Sequence, residues 1–275
     1  MRTSIFLVFI VIFSKITGFI RDTTTAYVYG ASSQMDAYNI GSTIPAVIFG
    51  IIGTAITTTL LPMFVREEKE KGQAETNKFL NVVLSNFFII ALLVVAVGIL
   101  TSQWIVKGVA PGFSGDSYAL AVVLTMIGFP SILFMSIGAI CTARLQSMNK
   151  FIAPSLIGIV ANGVLIVYLL FFNKGLGIQG FMVATVFSYV TELIVMMPVL
   201  FASGWRPKFQ VNFRHPMFKK MFLLTIPVLI GSTVDQINVL VDRLLASFLE
   251  YGSVSALNYS YRLNALFTSL FASSI

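Results

Sequence analysis

Charge is what this sequence has least of. Only 11% of its 275 residues are Asp, Glu, Lys or Arg, whereas a soluble domain carries about 25%. A chain this poor in charge has too little polar surface to stay dissolved, which excludes an ordinary soluble globular domain. Cysteine and histidine are just as scarce, at one each. Cys141 alone cannot form an internal disulfide or a cysteine metal cluster, and in its apolar setting it reads as a small core residue. His215 stands in a basic loop, away from any other metal-ligating group. Long polar loops are missing on one side, where "PGFSGDSY", "NKGLG" and "LEYGS" are the connections. No catalytic domain fits there, which weighs against a membrane glycosyltransferase or hydrolase; the reading is not an enzyme, and no cofactor is expected.

What is present is apolar sequence. Hydrophobic residues make up 57% of the chain, and its mean hydropathy is +0.89. A spanning helix needs about 20 apolar residues. Eight such stretches occur, near 4–29, 36–64, 79–103, 118–143, 151–173, 177–202, 220–248 and 253–275. Runs such as "FFIIALLVVAVGIL" lack the alternation of a transmembrane β-strand, so the expected class is an all-α polytopic membrane protein with eight transmembrane helices. The first stretch has Arg2 ahead of an apolar run, but no cleavage site of small residues follows. It reads as a retained helix, not a signal peptide. The chain stops within an apolar stretch at Ile275, which suggests part of a longer protein, truncated or split. The organisation expected is a six-helix lobe over 1–203, a basic cytoplasmic linker over 204–219, and two helices over 220–275 that open a second lobe.

Basic residues fall unevenly. With the N-terminus in the cytoplasm, that side holds Arg2, Arg66, Lys69, Lys71, Lys78, Arg144, Lys150, Arg206, Lys208, Arg214, Lys219 and Lys220. The opposite side holds Lys107 and Lys174, with Arg21 in or beside the first loop. This is the positive-inside pattern, so the net charge of +7 describes loops and no nucleic-acid surface. The segment "REEKEKGQAETNK" balances its charges and reads as a solvated inter-helix loop.

A few charges lie within the spans, where each costs about 2.5–3.5 kcal/mol at the bilayer centre and marks a partner or a hydrated cavity. They are Lys15, Arg21, Asp22, Asp36, Glu192, Asp235, Asp242, Arg243 and Arg262. Lys15 and Asp22 are seven residues apart and share one helix face; Arg21 lies about 120° from Lys15. Asp235, Asn238 and Asp242 form a stripe of oxygen ligands at i, i+3 and i+7, suited to a hard monovalent cation or a proton relay. Neutralisation of those carboxylates by Arg243 or Arg262 is the competing reading. Arg262, set among apolar and hydroxyl residues, calls for an anion, either an internal Asp or a ligand phosphate. Glu192 reads as an acid bonded between helices.

Four segments then stand in order at a family's spacing: "SKITGFIRD", "YGASSQMDAYNIGSTIP", "LQSMNKFIAPSL" and "VDRLLASFLEYGSVSALNYSYRL". Together they resemble the MurJ (MviN) family of lipid II flippases, within the superfamily that includes multidrug exporters. The resemblance implies fourteen helices around a basic central cavity, of which this chain supplies the first lobe and the opening of the second. It implies alternating access for a polyprenyl-diphosphate saccharide, lipid II above all, from inner to outer leaflet of the bacterial cytoplasmic membrane during peptidoglycan synthesis. By position it assigns Lys15, Arg21, Asp22, Asp36 and Arg262 to substrate. It places Asp242, with Asp235 and Asn238 beside it, at a coupling-ion site; coupling to sodium, protons or the membrane potential is expected. Two departures stand out. "AVIFGIIG" lacks the family's paired arginines, and Ala265 replaces an acid three residues after Arg262. A cation-coupled multidrug exporter and a non-transporting scaffold are the alternatives. The exporter calls for an acidic or apolar cavity, and a scaffold has no use for buried charge.

Overall fold

The computed structural model describes residues 2–272. The described chain is helical: α1 (Arg2–Tyr29), α2 (Ser33–Val109), α3 (Gly115–Gly128), α4 (Ser131–Ser147), α5 (Ile152–Val167), a π-helical turn (Tyr168–Phe172), α6 (Asn173–Ala202), α7 (Pro216–Ser247) and α8 (Ser253–Ala272). Among the described residues, four continuous stretches are long and apolar enough to cross a membrane: Ser33–Val109, Gly115–Ser147, Ile152–Ala202 and Pro216–Ser247. Positive-φ glycines subdivide two of them. Gly72 (φ 81°) breaks α2 between the apolar stretches near 36–64 and 79–103, and Gly177 (φ 55°) breaks α6 near its start. A residue with a Cβ rarely adopts such angles, so glycine sits where the chain reverses. Pro130 separates α3 from α4 and kinks the stretch expected near 118–143. The last expected stretch ends at 275, and residues 273–275 lie outside the described ones.

The segment "REEKEKGQAETNK" departs from expectation. It is helical almost throughout, extending both arms of α2 beyond the apolar stretches to meet at Gly72. Arg144, with its side chain 1% exposed, explains why. From α4 it forms an ion pair with Glu68 on one arm and a 3.4 Å hydrogen bond to Asn77 on the other, while its guanidinium lies 5.9 Å from the centre of the Phe64 ring. A buried guanidinium needs several acceptors at once, and two helical arms supply them.

Two apolar cores fill the bundle. At the end near Gly72, Phe64, Phe79, Leu80, Ile140, Leu145 and Leu200 pack together. At the other end, Ile40, Leu124, Phe129, Phe181 and Met182 do the same. Outward-facing apolar residues, among them Leu100, Phe171, Phe187, Ile194 and Ile230, stay exposed, as on a surface that meets lipid. Polar side chains also line a hollow within the bundle.

Candidate functional site

Helix α1 crosses α5 closely: a Cβ on Gly158 would stand 2.5 Å from Ser14 Oγ. That approach places Asn162 against α1, where its Nδ2 donates to Ser14 O at 3.2 Å and to Thr17 Oγ1 at 3.1 Å. Its Oδ1 is thereby aimed at Arg21, whose Nη1 donates to it at 2.8 Å. Arg21 Nε and Nη2 both donate to Asp22 Oδ1, at 2.9 and 2.7 Å. Arg262 reaches the same carboxylate oxygen through Nη1, while its Nε donates to Asn258 Oδ1 at 2.8 Å. Two guanidinium groups thus share one carboxylate.

These residues line a cavity of about 380 Å³ between α1, α2, α5, α6 and α8. Tyr38, Thr185, Ser188, Tyr189, Tyr259 and Glu192 complete its polar wall; Tyr38 and Thr185 join hydroxyls at 2.8 Å. A guanidinium has five N–H donors. After the bonds above, Arg21 keeps two and Arg262 keeps three for a ligand. The Arg21–Asp22–Arg262 group carries a formal charge of +1, and Glu192 faces the same space. Charge-assisted N–H donors of this kind suit phosphate oxygens.

The sequence-derived candidates divide by location. Arg21, Asp22 and Arg262 meet in the cavity. Lys15 does not: it lies six residues, about 9 Å, further along α1 and is not among the lining residues. Asp36, expected with the substrate group, is 1% exposed and is occupied in holding α8. Gly252 N donates to its Oδ2 at 2.6 Å and Ser255 N to its Oδ1 at 2.7 Å. A helix N-terminus presents unsatisfied N–H groups and a partial positive charge, and a carboxylate on a neighbouring helix answers both. A relay links this clamp to the cavity: Asn39 Nδ2 donates to Ser255 Oγ at 3.3 Å, and Asn258 Nδ2 to Asn39 Oδ1 at 2.9 Å.

Among the described residues, the α7 stripe is not joined by further ligand groups into a cluster. Asp235 and Asn238 are exposed on α7, and Asp242 accepts a 2.6 Å hydrogen bond from the Tyr261 hydroxyl, not an ion pair from Arg243. Among the described residues, Arg243 is buried with Nε and Nη1 unpartnered. No group of three or more metal-ligating His, Cys, Asp or Glu side chains occurs among the described residues. Sequence reasoning missed Asn162, Asn39 and Asn258. Each is a buried amide within an apolar stretch, a pattern that marks inter-helix bonding in membranes.

A helical bundle with long apolar helices around a polar hollow that holds two arginines defines a multi-pass membrane protein with an internal polar site. A crystal structure of a MATE transporter in complex with MaD3S matches the fold at TM-score 0.67 and 15% identity, covering 94% of this chain and 59% of that one. The family model described as lipid II flippase MurJ matches residues 25–275, and the chain belongs to that family. It is 27% identical over 267 residues to the lipid II flippase MurJ of Burkholderia cenocepacia, covering 94% of this chain and 52% of the relative. A solved structure of lipid II flippase MurJ in an inward closed conformation superposes at TM-score 0.83 with 28% identity, covering 98% of this chain and 56% of that one. The chain therefore spans about half the length of the curated relatives it matches.

Proposed function

We propose that this chain contributes one half of a transporter that moves a polyprenyl-diphosphate saccharide, lipid II as in its relatives' names, across the bacterial cytoplasmic membrane by alternating access. The reading is a transporter with eight crossings and a cytoplasmic N-terminus, coupled to sodium, protons or the membrane potential; it is not an enzyme. One observation carries it. Two arginines held by a single carboxylate in a polar hollow within the bundle retain five N–H donors, enough to replace water around a diphosphate that hydrocarbon would reject. The unoccupied guanidinium donors of that trio favour an anionic cargo over the cationic cargo of a drug exporter.

The test is binding of a short-chain polyprenyl diphosphate to the purified chain. Arg21→Gln and Arg262→Gln should each weaken it about tenfold or more, the value of a charged hydrogen bond, while Lys15→Gln should leave it within about twofold, since Lys15 lies outside the cavity. Unchanged binding in both arginine variants, or preference for a lipophilic cation over the diphosphate, overturns the proposal.

A further inference from the structure

The segment between α6 and α7 is not a free linker. Residues 205–212 run extended along the second arm of α2, and side chains of α2 satisfy their backbone. Lys208 N donates to Asn81 Oδ1 at 3.3 Å, Gln210 N to Ser85 Oγ at 2.8 Å, and Asn212 N to Asn86 Oδ1 at 3.0 Å. In return Asn81 Nδ2 donates to Arg206 O at 3.1 Å and Asn86 Nδ2 to Asn212 O at 3.0 Å. Trp205 anchors the start through Nε1 to Asn81 Oδ1 at 2.9 Å. Three polar residues inside an otherwise apolar arm of α2 thus act as a strand edge.

An extended chain sends alternate side chains to opposite faces. Here "RPKFQVN" alternates polar or basic residues with apolar ones up to Asn212, after which the chain turns, Arg214 N donating to Asn212 Oδ1 at 3.0 Å. Phe209 is 71% exposed, and Val211 and Phe213 are also exposed. Beside the strap lies a groove of about 340 Å³, walled by Leu84, Phe88, Ile137 and Met197, with Trp205 and Lys208 also lining it. Phe209 closes it edge-on against Phe88, ring centres 6.3 Å apart. Lys219 and Lys220 follow, exposed, in the first turns of α7.

We propose that this strap and groove form a binding site for an anionic phospholipid: one acyl chain in the groove, its phosphate on Lys208 and Arg214. An apolar slot open to lipid is filled by hydrocarbon, and Lys208 on its rim, with Arg214 further along the strap, complements an anionic headgroup better than a zwitterionic one. Arg206 has a different task. Its Nη1 donates to Phe201 O at 3.0 Å and Trp205 O at 2.9 Å, closing the end of α6. The backbone bonds pre-position Lys208 and Arg214 without using their side chains, so their replacement leaves the strap in place. This site is independent of the cavity and of the transport reading.

The protein supplies its own reporter, because Trp104 and Trp205 are its two tryptophans. In a Trp104→Phe background, Trp205 fluorescence is titrated in mixed micelles with brominated phosphatidylglycerol or brominated phosphatidylcholine. Phosphatidylglycerol should quench at a mole fraction at least about fivefold lower, the contribution of one basic residue near an anionic lipid. Lys208→Gln with Arg214→Gln should bring the two lipids together, and Lys208→Glu should reverse the order. Equal quenching of the parent by both lipids, quenching by neither (the groove then being filled by protein, such as a second copy), or a preference that survives both variants overturns the proposal. So does displacement of brominated phosphatidylglycerol by equimolar polyprenyl diphosphate, which would make the groove a tail site for the cargo.

Discussion

At Asp22 two arginines from distant parts of the chain meet one carboxylate oxygen. Neither pair is deeply buried, since Arg262 is 38% exposed and Asp22 22%, so each bond contributes modestly. Asp22→Asn should lower the unfolding midpoint, and a double-mutant cycle with Arg262→Gln should give a coupling of about 1 kcal/mol. Asp36 is a different case: fully buried, it accepts two backbone N–H bonds at the start of α8. Asp36→Ala should cost about 2 kcal/mol or more, read as a fall in thermal stability in detergent. Diphosphate affinity should weaken with it only as α8 loosens, because Asp36 touches no part of the cavity.

Among the elements, the long α2 hairpin carries the most consequence. Its reversal at Gly72 is braced from α4 by Arg144, and Gln73 on the second arm donates to Ser203 O at the end of α6. Arg144→Met keeps the apolar stem but leaves Glu68 and Asn77 without their shared donor; about 3 kcal/mol of stability should be lost, as measured by denaturant or thermal unfolding. Glu68→Gln should cost less, because Glu68 is one-third exposed and water can take over its bonds. The charge pattern of "REEKEKGQAETNK" looks solvated in one dimension. Nothing local to it reveals that Arg144, 76 residues from Glu68 in sequence, will bury itself between the arms.

For the whole molecule, orientation is the property that decides what the cavity faces. The reversal at Gly72, the turn before α5 and the strap before α7 collect at one end, and the loops at 110–114 and 248–252 at the other. On the positive-inside distribution, the orientation we propose puts the first end in the cytoplasm. Cys141 is fully buried, so single cysteines can be placed without removing it. In intact cells a membrane-impermeant maleimide should label Glu250→Cys but not Lys71→Cys, and permeabilisation should expose the latter. The opposite pattern inverts the topology.

Composition and patterning alone determined that the chain is a helical membrane protein, roughly where its apolar stretches begin and end, and that Arg21, Asp22 and Arg262 are out of place in lipid. These follow because hydrophobic length and the cost of charge in hydrocarbon are local properties, readable residue by residue. Tertiary structure decided the partners. It turned Asp36 from a ligand candidate into a helix clamp, left Lys15 outside the cavity, gave Asp242 to Tyr261, and laid the supposed linker along α2. Each of those outcomes depends on which helices become neighbours, a consequence of close approaches such as Gly158 against Ser14 that one-dimensional spacing does not encode.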